Sequence, residues 1–151
     1  MGFKTRYYEQ IYTKSRKKEI TELIRYQKYA ITYYEKGEYD KSLNYYKNAL
    51  SISEKVLGLA HPSTATTYNN IALVYKDQGE YVKALEYSQK DLAITEKVLG
   101  ADHPSTATTY NNLAVIYRNL GDYTKGLEYF KKALEIQENS RTYAPRYSND
   151  V

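Results

Sequence analysis

Apolar residues along this chain fall at helical spacing and return at a constant interval. Tyr68, Ile71, Ala72 and Tyr75 stand at i, i+3, i+4 and i+7, the stripe of one amphipathic helix. A second, longer stripe runs through Tyr81, Ala84, Leu85, Ser88, Leu92 and Leu99. Gly79 separates the two, and Gly100 stands where a left-handed C-terminal cap is wanted. Pro104 suits the first turn of the next helix, where its missing N–H costs nothing. The pattern predicts a pair of antiparallel helices.

That pair repeats. HPSTATTYNN occurs at residues 61–70 and again at 103–112, an offset of 42. The same offset carries Tyr75 to Tyr117, Gly79 to Gly121, Tyr81 to Tyr123, Leu85 to Leu127, Leu92 to Leu134 and Ile94 to Ile136. Run backwards, it finds Gly37, Tyr39, Leu43, Leu50 and Ile52, and it joins the two copies of EKVLG at 54–58 and 96–100. Three units are therefore expected, over about 21–60, 61–102 and 103–139. Helix pairs at a fixed period cannot bury their faces alone and must stack on their neighbours, so the predicted fold class is all-α, an α-solenoid. Residues 1–20, with Tyr8, Ile11, Tyr12 and Ser15 at helical spacing, are expected to form a basic capping helix. Residues 140–151 hold a proline and little periodicity and are expected to be a flexible tail.

These residues resemble a known family. Tyr68-x2-Ile71-Ala72-x2-Tyr75, followed by Gly79-x-Tyr81-x2-Ala84 and Leu92-x-Ile94, looks like the tetratricopeptide repeat with Tyr in place of its usual first Trp. The long second helix ending in EKVLG, then HP and an Asn-Asn-Leu/Ile-Ala run, is similar to the 42-residue repeats of kinesin light chains. The resemblance implies a right-handed superhelix whose first helices line a concave groove. The chain departs from the pattern where Ser42 and Gly126 replace a usual Ala, Ser88 an aromatic and Asp91 a small apolar residue. Asp91 is the oddest of these, because a carboxylate there needs a partner or solvent; it marks a looser contact or a binding notch.

Composition narrows the function classes. With 151 residues, 42% hydrophobic and 26% charged, the chain has enough apolar material for one short array with a core. No apolar run approaches the roughly 20 residues that span a bilayer, and MGFKTRYY lacks the apolar core of a secretion signal. Gly2 invites myristoylation, but Arg6 stands where that motif wants Ser or Thr. A cytoplasmic protein without membrane insertion is expected. The absence of cysteine excludes disulfides, thiolate catalysis and cysteine-bearing zinc sites. The net charge of +4 is concentrated: residues 1–18 carry +5, leaving the rest near neutral. Such a cluster suits phosphate, but no base-reading motif accompanies it, so a solvated cap is the better reading and nucleic acid is not expected as a partner.

Candidate chemistry is sparse. His61 and His103 lie a whole helix pair apart, too far to share one ion at about 2 Å; no metal site is expected. No Ser, His and acid set and no Gly-rich phosphate loop is present, so neither an enzyme, a cofactor nor a small-molecule substrate is expected. The 20 tyrosines are first of all packing residues, with Tyr68, Tyr75, Tyr81, Tyr110, Tyr117 and Tyr123 on the apolar stripe. Tyr34 falls off that stripe and is expected to face the groove.

The strongest functional signal is the pair of Asn pairs. Since Tyr68 and Ile71 face the core, Asn69 and Asn70 point elsewhere, as do Asn111 and Asn112. Carboxamides offer a donor and an acceptor each, which matches a peptide backbone. One turn later the same face carries Leu73, Lys76, Val115 and Arg118, and in the first unit Gln27, Lys28 and Tyr34. This set predicts a groove for an extended, partly acidic peptide. The clamp for chaperone C-terminal carboxylates is not expected, because only Asn70 matches its pattern, with Gln27, Ile31, Thr108 and Asn112 at the other positions. A different reading is self-assembly: the last helix, with an uncovered apolar face, stacks on a second copy to form a homo-oligomer.

Overall fold

The computed structural model describes residues 2–142, the side chains of residues 2–4 and 8 excepted. Among the described residues the chain forms α1 (Gly2–Glu35), α2 (Tyr39–Val56), α3 (Pro62–Asp77), α4 (Tyr81–Val98), α5 (Pro104–Asn119) and α6 (Tyr123–Thr142). They pack as three antiparallel pairs, α1 with α2, α3 with α4 and α5 with α6, and the pairs stack through α2 on α3 and α4 on α5. This is the expected α-solenoid. The tail expected over 140–151 lies, beyond Thr142, outside the described residues, and residues 140–142 belong to α6.

The repeated decapeptide is first of all a joint. His61 and His103 cap α3 and α5, each accepting the amide of Ser63 or Ser105 on Nδ1 at 3.1 Å, with proline at the first helical position. Thr64 and Thr106 donate back to the carbonyls of Gly58 and Gly100 at 2.9 and 2.8 Å, tying each helix start to the end of the preceding unit. Gly100 takes φ +99°, the left-handed conformation an L side chain avoids, and its amide bonds Thr95 O at 3.1 Å. The Tyr110 hydroxyl donates to Glu96 at 2.5 Å, and Tyr68 makes the same bond to Glu54, so the first Glu of EKVLG serves the next unit.

Within each pair the helices cross at small residues. Ser42 Oγ donates to Ala30 O at 2.8 Å, Ala84 is fully buried, and a Cβ on Gly126 would stand 3.1 Å from Ala114 O. The two departures from Ala, Ser42 and Gly126, thus share one close contact with the parent residue, Ala84. Flanking it, a tyrosine of the second helix inserts between two of the first. Tyr87 packs on Tyr68 and Tyr75 with centroids 6.1 and 5.6 Å away; Tyr129 repeats this with Tyr110 and Tyr117, and Tyr45 with Tyr26 and Tyr33. A lysine covers each set, Lys41, Lys83 and Lys125 lying 5.2 to 5.5 Å from Tyr33, Tyr75 and Tyr117. The tyrosine bias is a packing device, as expected for Tyr68, Tyr75, Tyr110 and Tyr117. Tyr123 differs: it is 71% exposed, because none of the described residues packs over it.

The segment expected as a separate cap is continuous with the first unit. No Gly or Pro interrupts the chain between Gly2 and Gly37, so nothing ends the helix at residue 20, and α1 runs unbroken to Glu35. Residues 9–18 are exposed throughout. Arg16 Nη2 reaches the Val56 carbonyl at 3.4 Å and Glu19 pairs with Lys55 at 2.5 Å, so this stretch touches the end of α2 through charged groups.

Candidate peptide-binding groove

The first helices of the units stand side by side. α3 packs directly on α5, whereas α2, α4 and α6 do not pack on one another to that extent. Gln27 Nε2 donates to Thr67 Oγ1 at 3.4 Å, linking α1 to α3. The α1, α3 and α5 side is therefore the one on which the first helices of neighbouring units meet.

The sequence-derived residues occupy this wall unequally. Asn69, Asn70, Asn111 and Asn112 are all half-buried, as are Leu73 and Val115, while Lys28 and Arg118 are exposed. Asn112 Nδ2 donates to Asn69 Oδ1 at 2.8 Å, so two of the four amides bridge neighbouring units and keep only their remaining polar atoms for a ligand. Lys76 is half-buried and lies 3.5 Å from Asp77 Oδ1. The Tyr34 hydroxyl donates to the other oxygen of Asp77, and that bond, with some burial, pushes its pKa up to about 12. Tyr34 also packs on Tyr39 at 5.9 Å, so it belongs half to the core and half to the wall. Asp77 is the residue that sequence reasoning missed. Its signal was its place beside Lys76 in the last turn of α3.

A notch of about 210 Å³ opens between α3 and α5, with α4 as its floor. Asn69 lines it, together with Pro62, Thr95, Leu99, Thr109 and Asp91. Asp91 is 2% exposed, and its Oδ2 accepts a 2.6 Å bond from Thr109. Burial pushes its carboxyl up to about 6, against a smaller opposing effect of the Thr109 hydrogen bond. One turn earlier on α4, Ser88 is fully buried and its hydroxyl has no partner. A larger hollow of about 570 Å³, between α2, the end of α3 and the start of α4, involves none of the predicted wall residues.

Among the described residues no cluster of three or more His, Asp or Glu could hold a metal, and no helix is long and apolar enough to cross a membrane. The wall can make hydrogen bonds, a few ion pairs and small apolar contacts.

Comparisons with known proteins agree with this architecture. The structure of BtubC (BKLC) from P. vanneervenii is 20% identical, with a TM-score of 0.75 over 85% of this chain, which spans about half (52%) of that protein's chain. The tetratricopeptide domain of Arabidopsis FLU is 23% identical, with a TM-score of 0.71 over 80% of this chain and 98% of that one. A Podosopora anserina putative kinesin light chain with nearly identical repeats is 24% identical, with a TM-score of 0.68 over 79% of this chain and 56% of that one. At these identities the likeness is one of fold. No curated protein matches the chain. The tetratricopeptide repeat family model matches residues 21–90 and 63–139, which together carry all the repeats. The chain belongs to the tetratricopeptide repeat family.

Proposed function

We propose that this chain binds an extended, partly acidic peptide along the wall of α1, α3 and α5. A tetratricopeptide array is a protein-interaction module. The observation that carries the finer reading is the row of half-buried amides at Asn69, Asn70, Asn111 and Asn112, held in register by the 2.8 Å bond between Asn112 and Asn69. Half-buried amides with unused donors and acceptors suit the backbone of an extended peptide. Leu73 and Val115 supply apolar contact, and Lys28, Lys76 and Arg118 face its carboxylates, with Gln27 and Tyr34 bounding the first unit's share. Such a partner is a protein segment within the cytoplasm. The test is a random-peptide display selection on the parent and on a variant with Asn70 and Asn111 changed to Ala. Enrichment of a shared acidic and apolar pattern by the parent, lost in the variant, supports the reading; equal enrichment by both sinks it.

Self-association through α6 is favoured by a different observation. Leu127 is 56% and Leu134 53% exposed, whereas Leu43, at the same repeat position as Leu127, is 7% exposed under the next unit. A second copy would cover this face. Sedimentation equilibrium of the parent and of Leu134→Asp decides it: a mass that rises with concentration only in the parent supports a homo-oligomer, and a monomer throughout excludes one.

A further inference from the structure

We infer that the notch between α3 and α5 is a subsite for an alkylammonium group, the side chain of a lysine carried by the peptide in the groove. This rests on the peptide-binding reading above for the source of the lysine, not for the chemistry of the notch.

The carboxylate is not needed for the joint. The repeat period places Ala49 and Ala133 at the position of Asp91, and both are buried, at 0% and 1% exposure. One unit alone has exchanged a methyl group for a carboxyl in that buried place. Its Oδ2 is met by Thr109 at 2.6 Å, while its Oδ1 receives no donor from the described residues. Oδ1 is not sealed off, since Ser88 Oγ is the only fully buried side-chain polar atom without a partner among the described residues; a carboxylate so little exposed is still costly to ionise, and a cation placed beside it removes that cost. No residue lining the notch is positively charged, so the protein does not supply that cation itself.

The surroundings choose among cations. Asn69 Oδ1 already takes one bond from Asn112 and has a second lone pair. The Thr95 hydroxyl donates to Asp91 O at 3.1 Å, which leaves its oxygen available to accept. Asp91, Asn69 and Thr95 together match the three donors of an ammonium ion. A guanidinium wants both oxygens of one carboxylate approached side by side, and Thr109 already occupies one approach to Oδ2, which leaves the compact ammonium the better fit. A divalent metal wants more anionic oxygen than one carboxylate provides. Pro62 and Leu99 form apolar walls along which four methylenes lie, in a volume of about 210 Å³ that is far too roomy for a bare ion. Asn69 belongs both to the notch and to the peptide-facing wall, so a lysine of a groove-bound peptide reaches it.

The experiment uses the chain without any peptide. n-Butylammonium chloride is titrated into the 15N-labelled parent at pH 7.5, with potassium chloride at matched ionic strength as the second arm. Saturable shifts of Asn69, Thr95 and Thr109 signals with butylammonium alone, weakened about tenfold or more in Asp91→Asn, are expected for a charge-assisted contact. Asp91→Ala, which restores the residue type of the other two units, provides a second variant should Asp91→Asn fold poorly. Absence of these shifts, the same shifts with potassium, or unchanged binding in Asp91→Ala overturns the inference. Butylammonium binding and peptide selection are independent readouts, so failure of the notch leaves the groove reading standing, and failure of the groove leaves the notch measurable.

Discussion

Asn112 reaches across the joint between the second and third units and places its Nδ2 2.8 Å from Oδ1 of Asn69. Two residues that look like ligand-binding amides are thereby also a rivet between units. The bond is half-buried, and such bonds contribute about 1 kcal/mol. Asn112→Ala and Asn69→Ala are each expected to cost about that much in urea unfolding, and the double variant little more than either. Strict additivity in that cycle would show that the two amides are energetically independent.

The carboxyl of Asp91 makes stability depend on pH in a defined direction. Its folded value of about 6 stands above the ordinary aspartate value, so the folded state holds the proton more tightly than the unfolded chain does. The stabilisation is fully present below about pH 4 and is lost as pH rises through 6. Residues facing Asp91 from α3 and α5 are uncharged, so no neighbour offsets this titration. Relative to Asp91→Ala, the parent should lose on the order of 3 kcal/mol between pH 4 and pH 7.5. Parallel stability curves for the two proteins would contradict this.

Two tyrosines of equal size should respond differently to truncation. Tyr87 sits between the rings of Tyr68 and Tyr75, at 6.1 and 5.6 Å, whereas Tyr123 is 71% exposed. Tyr87→Ala is expected to cost about 3 kcal/mol, and Tyr123→Ala within about 0.5 kcal/mol of nothing. The check is thermal unfolding by circular dichroism; comparable losses at both sites would mean that α6 is covered in solution.

The two histidines should behave as caps. His61→Ala removes the acceptor of the Ser63 amide and is expected to cost about 1 kcal/mol, and His61→Asn to recover most of it. Equal losses in both variants, measured by urea unfolding, would place the role of His61 elsewhere than Nδ1.

Much of the architecture was legible in the chain because it is local. The stripe at i, i+3, i+4 and i+7, the breaks at Gly79 and Gly100 and the proline at each helix start act within one or two turns, so each copy announces its helix pair alone. The crossing residues Ser42, Ala84 and Gly126 were likewise visible as variants of one small position. Even the oddness of Asp91 was readable, as a charge where the period calls for a small apolar residue.

What tertiary structure decided is the register between units. A constant offset of 42 relates equivalent residues, yet the bonds from Asn112 to Asn69 and from Tyr34 to Asp77 join positions 43 apart, because stacked units are rotated and meet diagonally. That rotation follows from how side chains interlock across the joints, which no single helix encodes. It turned part of the Asn row inward as a bridge, brought Asp77 between Tyr34 and Lys76, and set Thr109 against Asp91 at the floor of a notch. The period of the chain therefore determined which helices form, and the packing between them determined which polar groups are spent on the fold and which remain for a partner.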